Sequence, residues 1–129
     1  MSYRSFEDLE VWQRACRQCT SIYEVFDGCK KYSLKDQIER ASLSVPSNIA
    51  EGHERNTKAD FQRFLTISLG SNAELQTQLY IARKLNLIDQ TKFQNLIHES
   101  KEISAMIRGL WKSIARKNTT ENSTLKTNN

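Results

Sequence analysis

An all-α fold, an antiparallel up-and-down four-helix bundle, is what this sequence predicts, and three observations predict it. One proline and four glycines occur in 129 residues, so the two residue types that interrupt helices are scarce. Apolar residues recur at steps of three and four along four separate segments, the spacing that lines one face of a helix. The connections between those segments are short, which makes successive helices antiparallel neighbours. The length accommodates one domain, residues 1–116, with a single core.

The first helix is expected over about residues 6–26. Ser5 stands three residues before Asp8, the spacing at which a hydroxyl and a carboxylate satisfy free N–H groups of a first helical turn. Its apolar stripe is Phe6, Leu9, Trp12, Ala15, Cys19, Ile22 or Tyr23, and Phe26, and Asp27-Gly28 ends it. A third helix, about 58–85, starts from the same spacing at Thr57 and Asp60 and steps through Phe61, Phe64, Ser68, Asn72, Leu75, Leu79 and Ala82. A fourth, about 89–116, starts at Asp89, which caps and suits the positive end of the helix dipole. Its stripe is Phe93, Leu96, Ser100, Ile103, Ile107, Leu110 and Ile114. Each helix spans roughly 30–40 Å at about 1.5 Å per residue. The remaining KNTTENSTLKTNN, residues 117–129, is polar with a lone leucine and reads as a disordered tail.

The second helix, about 34–54, contains the chain's proline. A start signal at Ser33 and Asp36 precedes Leu34, Ile38, Ala41, Val45, Ile49 and Gly52, which share a face on both sides of Pro46. A break would usually reset that phase, so the helix is expected to continue through Pro46 with a kink. Asn48 falls near the buried stripe, where an amide needs partners. Gly52 would permit close approach of a neighbouring backbone.

Ser44-Val45-Pro46-Ser47-Asn48-Ile49-Ala50-Glu51-Gly52, with Arg40 before it and Arg55, Phe61-Gln62-Arg63-Phe64-Leu65, Gly70-Ser71 and Glu74-Leu75 after it, resembles the four-helix-bundle proteins encoded in intervening sequences of bacterial 23S ribosomal RNA genes. Phe6-Glu7-Asp8-Leu9-Glu10-Val11-Trp12-Gln13 is similar to that family's start, and the resemblance covers roughly residues 6–115. It implies a closed bundle assembled as a ring, with five subunits favoured, and no established enzymatic activity. Accessory proteins of diversity-generating retroelements, basic rings associated with a reverse transcriptase and nucleic acid, are a more distant likeness. Gly28-Cys29-Lys30-Lys31-Tyr32 replaces the proline and acidic residue frequent in the family's first connection, and Ser68 stands where alanine is common.

Enzymatic chemistry finds little footing. Cys16-Arg17-Gln18-Cys19 is a single C-x-x-C, with Cys29 the remaining thiol and His53 and His98 in distant segments, so neither a metal nor a cofactor is expected. The pair lies mid-helix, where cysteine is usually a small buried residue. His98-Glu99 lacks the second histidine of H-E-x-x-H, and neither a phosphate loop nor a nucleophile elbow is present. No run of about 18 apolar residues suggests a membrane span, and Met1-Ser2-Tyr3-Arg4 does not open a signal peptide, so a cytoplasmic protein is expected.

Two surface features suggest partners. Net charge is +4 with a pI near 9.1. Lys101, Arg108, Lys112 and Arg116 share one face of the fourth helix, followed by Lys117, and an antiparallel bundle brings their end towards Arg55, Lys58 and Arg63. Cations near a helix C-terminus also serve simply as dipole partners. Together these cations would track a phosphate backbone of RNA or another nucleic acid, without a motif that reads bases. On the third helix Leu65, Leu69, Ala73 and Tyr80 form a second apolar stripe, expected to be an oligomer interface. Two functional classes follow: an oligomeric nucleic-acid-associated accessory protein, or a structural adaptor presenting surfaces to a protein partner.

Overall fold

The computed structural model describes residues 5–116 with their side chains and the backbone onward to Thr127. Its helices are α1 (Glu10–Val25), α2 (Tyr32–Glu54), α3 (Lys58–Lys84) and α4 (Gln90–Thr127), and no strand occurs among the described residues. α1 packs on α2 and α4, and α3 packs on the same two helices. α4 is assigned through Thr127 rather than stopping near 116, consistent with a sequence free of glycine and proline after Gly109. The polar tail expected at 117–129 lies outside the residues whose side chains are described.

Two helix starts follow their sequence signals. Thr57 Oγ1 accepts from the Asp60 N–H at 3.1 Å to begin α3, and Asp89 Oδ1 accepts from the Lys92 N–H at 2.8 Å to begin α4. The other two differ. Ser5 accepts from the Glu7 N–H at 3.1 Å, but it caps a 3-10 turn, Phe6–Asp8. Extended Leu9 separates that turn from α1, so the expected single helix over 6–26 is a turn followed by a shorter helix. At α2 the expected capping by Ser33 is absent: Lys31 is the N-cap residue, without a side-chain bond. Because the Lys35 N–H already bonds the Lys31 carbonyl at 2.9 Å, Ser33 sits inside the first turn, where it cannot cap.

α3 closes on Leu85 and Asn86. Asn86 takes φ of 59°, a conformation asparagine tolerates better than most residues. The Leu87 N–H then bonds the Ala82 carbonyl at 2.9 Å, satisfying a terminal acceptor as in a Schellman closure.

α2 runs unbroken through Pro46, and Ile38, Ala41, Val45, Ile49 and Gly52 are all buried. Polar side chains on either side of the proline hold the local backbone. Ser47 Oγ donates to the Leu43 carbonyl at 2.9 Å, and Asn48 Nδ2 donates to the Ser44 carbonyl at 2.9 Å and to Ser44 Oγ at 2.8 Å. Small residues let α2 and α3 approach: Ser44 and Ser71 hydroxyls meet at 2.8 Å, and Ser68 Oγ donates to the Val45 carbonyl at 2.8 Å. That bond gives the serine at 68 a role alanine could not fill. Gly52 is the tightest point, since a Cβ there would lie 2.7 Å from Phe64 Cβ. Gly70 is different in kind, with nothing within 4 Å of its would-be Cβ.

The apolar interior forms two clusters. One gathers Ile22, Phe26, Ile38, Leu75, Leu79 and Phe93, and the other gathers Leu9, Val45, Ile49, Leu65, Ile103 and Ile107. A buried polar network joins α1, α3 and α4 across the core. Gln18 Nε2 donates to Asn72 Oδ1 at 3.1 Å, and Asn72 Nδ2 donates to the Ser100 carbonyl at 2.7 Å and to Ser104 Oγ at 2.8 Å. Ser100 Oγ donates back to Asn72 Oδ1 at 3.0 Å, and Gln76 Nε2 reaches the Ser100 and Ser104 hydroxyls. Buried amides bound this way satisfy one another only in one helical register. Outside the core, Arg14 of α1 grips both carboxylate oxygens of Glu99 on α4, with Nε at 2.9 Å from Oε2. That charge-assisted bond is what raises the Arg14 pKa.

Candidate nucleic-acid interface

α3 begins beside the α4 turn that holds Trp111, where Gln62 Nε2 donates to the Trp111 carbonyl at 3.3 Å. The expected cations other than Lys101 are therefore towards one end of the bundle, but their states differ. Arg55 bonds Glu51 at 3.1 Å, Arg63 lies 3.7 Å from Asp60, and both guanidiniums pack over the Phe64 ring, at 4.9 and 4.6 Å from its centroid. Lys58 is half-buried. The positive charge of Arg55 and Arg63 is thus partly committed to carboxylates and to an aromatic face.

The α4 cations differ. Lys101, Arg108, Lys112 and Arg116 are exposed, and between Ile103 and Arg116 the helix carries no carboxylate at all. Arg108 and Lys112 edge a cleft between α3 and α4 whose other walls are Leu65, Thr66, Leu69, Ile107 and Trp111. Its volume is about 140 Å³. Trp111 is 39% exposed. Lys101 lies further along α4 and does not line the cleft. Neither Trp111 nor the cleft is foreseen from the apolar stripe; the available signal was an aromatic residue off that stripe, one helical turn from Arg108 and next to Lys112.

The second stripe of α3 requires a correction. Leu65 is 0% exposed and belongs to the core, so it is no outer residue. Leu69 packs on the same cluster, and Tyr80, although 44% exposed, stacks edge-on against Phe93 of α4 at 5.1 Å. Ala73 is exposed. This stripe is largely the seam that α3 makes with α4, and the stripe through Phe64, Ser68 and Leu75 serves the rest of the core. Exposed apolar side chains occur elsewhere, including Tyr32, Leu43, Ile67, Ile81 and Leu85.

Of the conspicuous α2 motif, Ser44, Pro46, Asn48 and Gly52 act in packing as described. Glu51 pairs with Arg55, and Arg40 is exposed. The cysteines are free thiols, and burial raises the Cys16 pKa, with Cys19 adding to the effect. That is the opposite of an activated thiolate. Among the described residues no three histidine, cysteine or acidic side chains gather as a metal site, and no helix is long and apolar enough to cross a membrane.

Residues 7–109 match the family described as 23S rRNA-intervening sequence protein. The chain belongs to that family. A solved structure from Bacteroides thetaiotaomicron, a protein of unknown function from the S23 ribosomal protein family, is similar with a TM-score of 0.75. The two are 23% identical, over 79% of this chain and 98% of the other, so the likeness speaks to fold alone. No curated protein matches the chain. Family membership thus agrees with the all-helical architecture, and the match spans the Ser44–Gly52 motif.

Proposed function

We propose that this 23S rRNA-intervening sequence protein is a non-enzymatic accessory factor that associates with nucleic acid through the α3–α4 end of its bundle. The observation that supports it is the α4 face itself: Arg108, Lys112 and Arg116 recur every fourth residue, exposed, on a stretch free of carboxylates. A cationic row of that kind neutralises phosphates without reading sequence. Lys101 extends the row, and Arg55, Lys58 and Arg63 add positive charge at its end. Self-association as a ring, five subunits being favoured by the family resemblance, would let several such rows share one strand and gain effective concentration. The exposed Leu43, Ile67 and Ile81 are the surface available for such assembly. In this reading a bend at Pro46 shapes α2, and the protein works in the cytoplasm.

Binding of labelled structured RNA and single-stranded DNA across a salt series is the test. Affinity should fall steeply with salt. Replacing Arg108, Lys112 and Arg116 together by Gln should weaken binding to all sequences alike and flatten the salt slope, with the mass by light scattering unchanged. Absence of wild-type binding at low salt refutes the reading and leaves the protein-adaptor alternative, for which the exposed apolar side chains of α2 and α3 would be the surface.

A further inference from the structure

The α3–α4 cleft combines features that a phosphate-tracking surface alone does not need. Buried Leu65 and Ile107 line it together with half-buried Leu69, and Trp111, 39% exposed, stands beside them. Arg108 and Lys112, four residues apart on α4, place cations at its edge. The apolar surface that Trp111 and half-buried Leu69 leave facing water gains from being covered. At about 140 Å³ the recess is well below the roughly 300–1,000 Å³ of drug-sized ligand sites. It suits one flat ring system rather than a whole cofactor. A flat apolar group attached to an anionic chain is the chemistry that matches both the recess and its cationic edge.

We propose that this cleft receives one unpaired base of a single-stranded nucleic acid against Trp111, while Arg108 and Lys112 contact the neighbouring phosphates. This rests on the nucleic-acid reading above and narrows it to single strands or unpaired loops. Base-paired residues are stacked within the helix and enter such a recess only after unpairing, at a cost a single strand does not bear. Stacking on an aromatic side chain tolerates different bases, because every base has a π-face. The cleft therefore adds preference for unpaired nucleic acid without sequence specificity.

The test compares labelled oligoadenylate, as RNA and as DNA, with an abasic strand of equal length and with duplex RNA. The wild-type protein should bind both oligoadenylates about tenfold tighter than the abasic strand, the scale of one base–aromatic stack. Trp111→Ala should erase that difference and leave abasic-strand affinity and salt slope unchanged, whereas Trp111→Phe should retain most of it. Arg108→Gln with Lys112→Gln should weaken all probes. Should Trp111→Ala fold poorly, quenching of Trp111 fluorescence by oligoadenylate in a Trp12→Phe background provides an independent reading. Salt-dependent binding without a preference for bases, an unchanged preference in Trp111→Ala, or no quenching overturns the cleft while sparing the broader function. A change of mass in Trp111→Ala would show that a second copy covers the cleft and would also overturn it. No binding to any probe overturns both.

Discussion

Gly52 permits a prediction in which two known effects oppose each other and the structure decides the sign. Replacing a mid-helix glycine by alanine ordinarily stabilises by about 1 kcal/mol, because glycine has more backbone freedom to lose. At position 52, however, the new Cβ would lie 2.7 Å from Phe64 Cβ, 3.1 Å from Phe61 Cδ1 and 3.3 Å from the Phe61 carbonyl oxygen. Ordinary contact begins at 3.4 Å. Phe64 Cβ is fixed to its backbone, and the carbonyl is backbone itself, so rotation of a side chain cannot relieve the clash. α2 and α3 must separate locally, and overpacking of this sort costs about 1–3 kcal/mol. Phe64 also carries the Arg55 and Arg63 guanidiniums, so its displacement disturbs their packing.

Gly52→Ala should accordingly be destabilising by up to about 2 kcal/mol after the propensity gain is offset. For a domain of this size the upper value corresponds to a fall in Tm of roughly 4–8 °C. Thermal and urea unfolding followed by circular dichroism measure it. Gly70→Ala and Gly109→Ala are the internal controls, because both lie within helices and neither would-be Cβ has a neighbour within 4 Å. They should gain up to about 1 kcal/mol. A Gly52→Ala protein as stable as the controls would refute close packing of α2 on Phe64.

Two other outcomes follow from the interior. Asn72→Ala removes the one partner the Gln18 amide has among the described residues, since Gln18 Oε1 has none there, and it should cost about 2–4 kcal/mol by urea unfolding. Gln18→Leu should cost less, because Asn72 Oδ1 keeps the Ser100 hydroxyl; an equal or larger loss would contradict this network. Cys16 should alkylate more slowly than an unhindered thiol, with the pH midpoint of its rate displaced upward by burial. Peptide mapping by mass spectrometry reads Cys16 apart from Cys29, and a midpoint below the ordinary thiol range would refute the buried environment.

Much of the fold was legible because its strongest determinants are local. Phase continuity from Ile38 to Gly52 predicted an unbroken α2 despite Pro46, and the hydroxyl and carboxylate pair at Thr57 and Asp60 and the single aspartate at Asp89 marked true starts. Spacing was a weaker guide where the backbone chose a different first residue. Ser33 and Asp36 have the same separation as Thr57 and Asp60, yet a helix beginning at Tyr32 leaves Ser33 no orphan N–H to cap. Polar core residues were also only partly visible. Ser68, Asn72 and Ser100 fell on the stripes, but Gln18 did not, because its amide is satisfied by Asn72 of another helix, which its own segment does not reveal.

The α3 stripe shows why a site is harder to read than a helix. Periodicity states that Leu65, Leu69 and Tyr80 share a side, but it does not state what lies against that side. A helix in a closed bundle meets two adjacent helices, so its apolar surface is wide enough to look like two stripes. Leu65 is fully buried where it lines the recess, while four residues on Leu69 is only half-buried beside part-exposed Trp111. Apolar periodicity thus marks both the closed and the open parts of one interface. The open part separates from the closed part through Arg108 and Lys112: charges at the edge of an apolar recess keep solvent near a surface that packing would otherwise seal. In this family member, then, the physically informative unit is the combination of a part-exposed indole with exposed cations on α4, more than either the net charge or the apolar stripe taken alone.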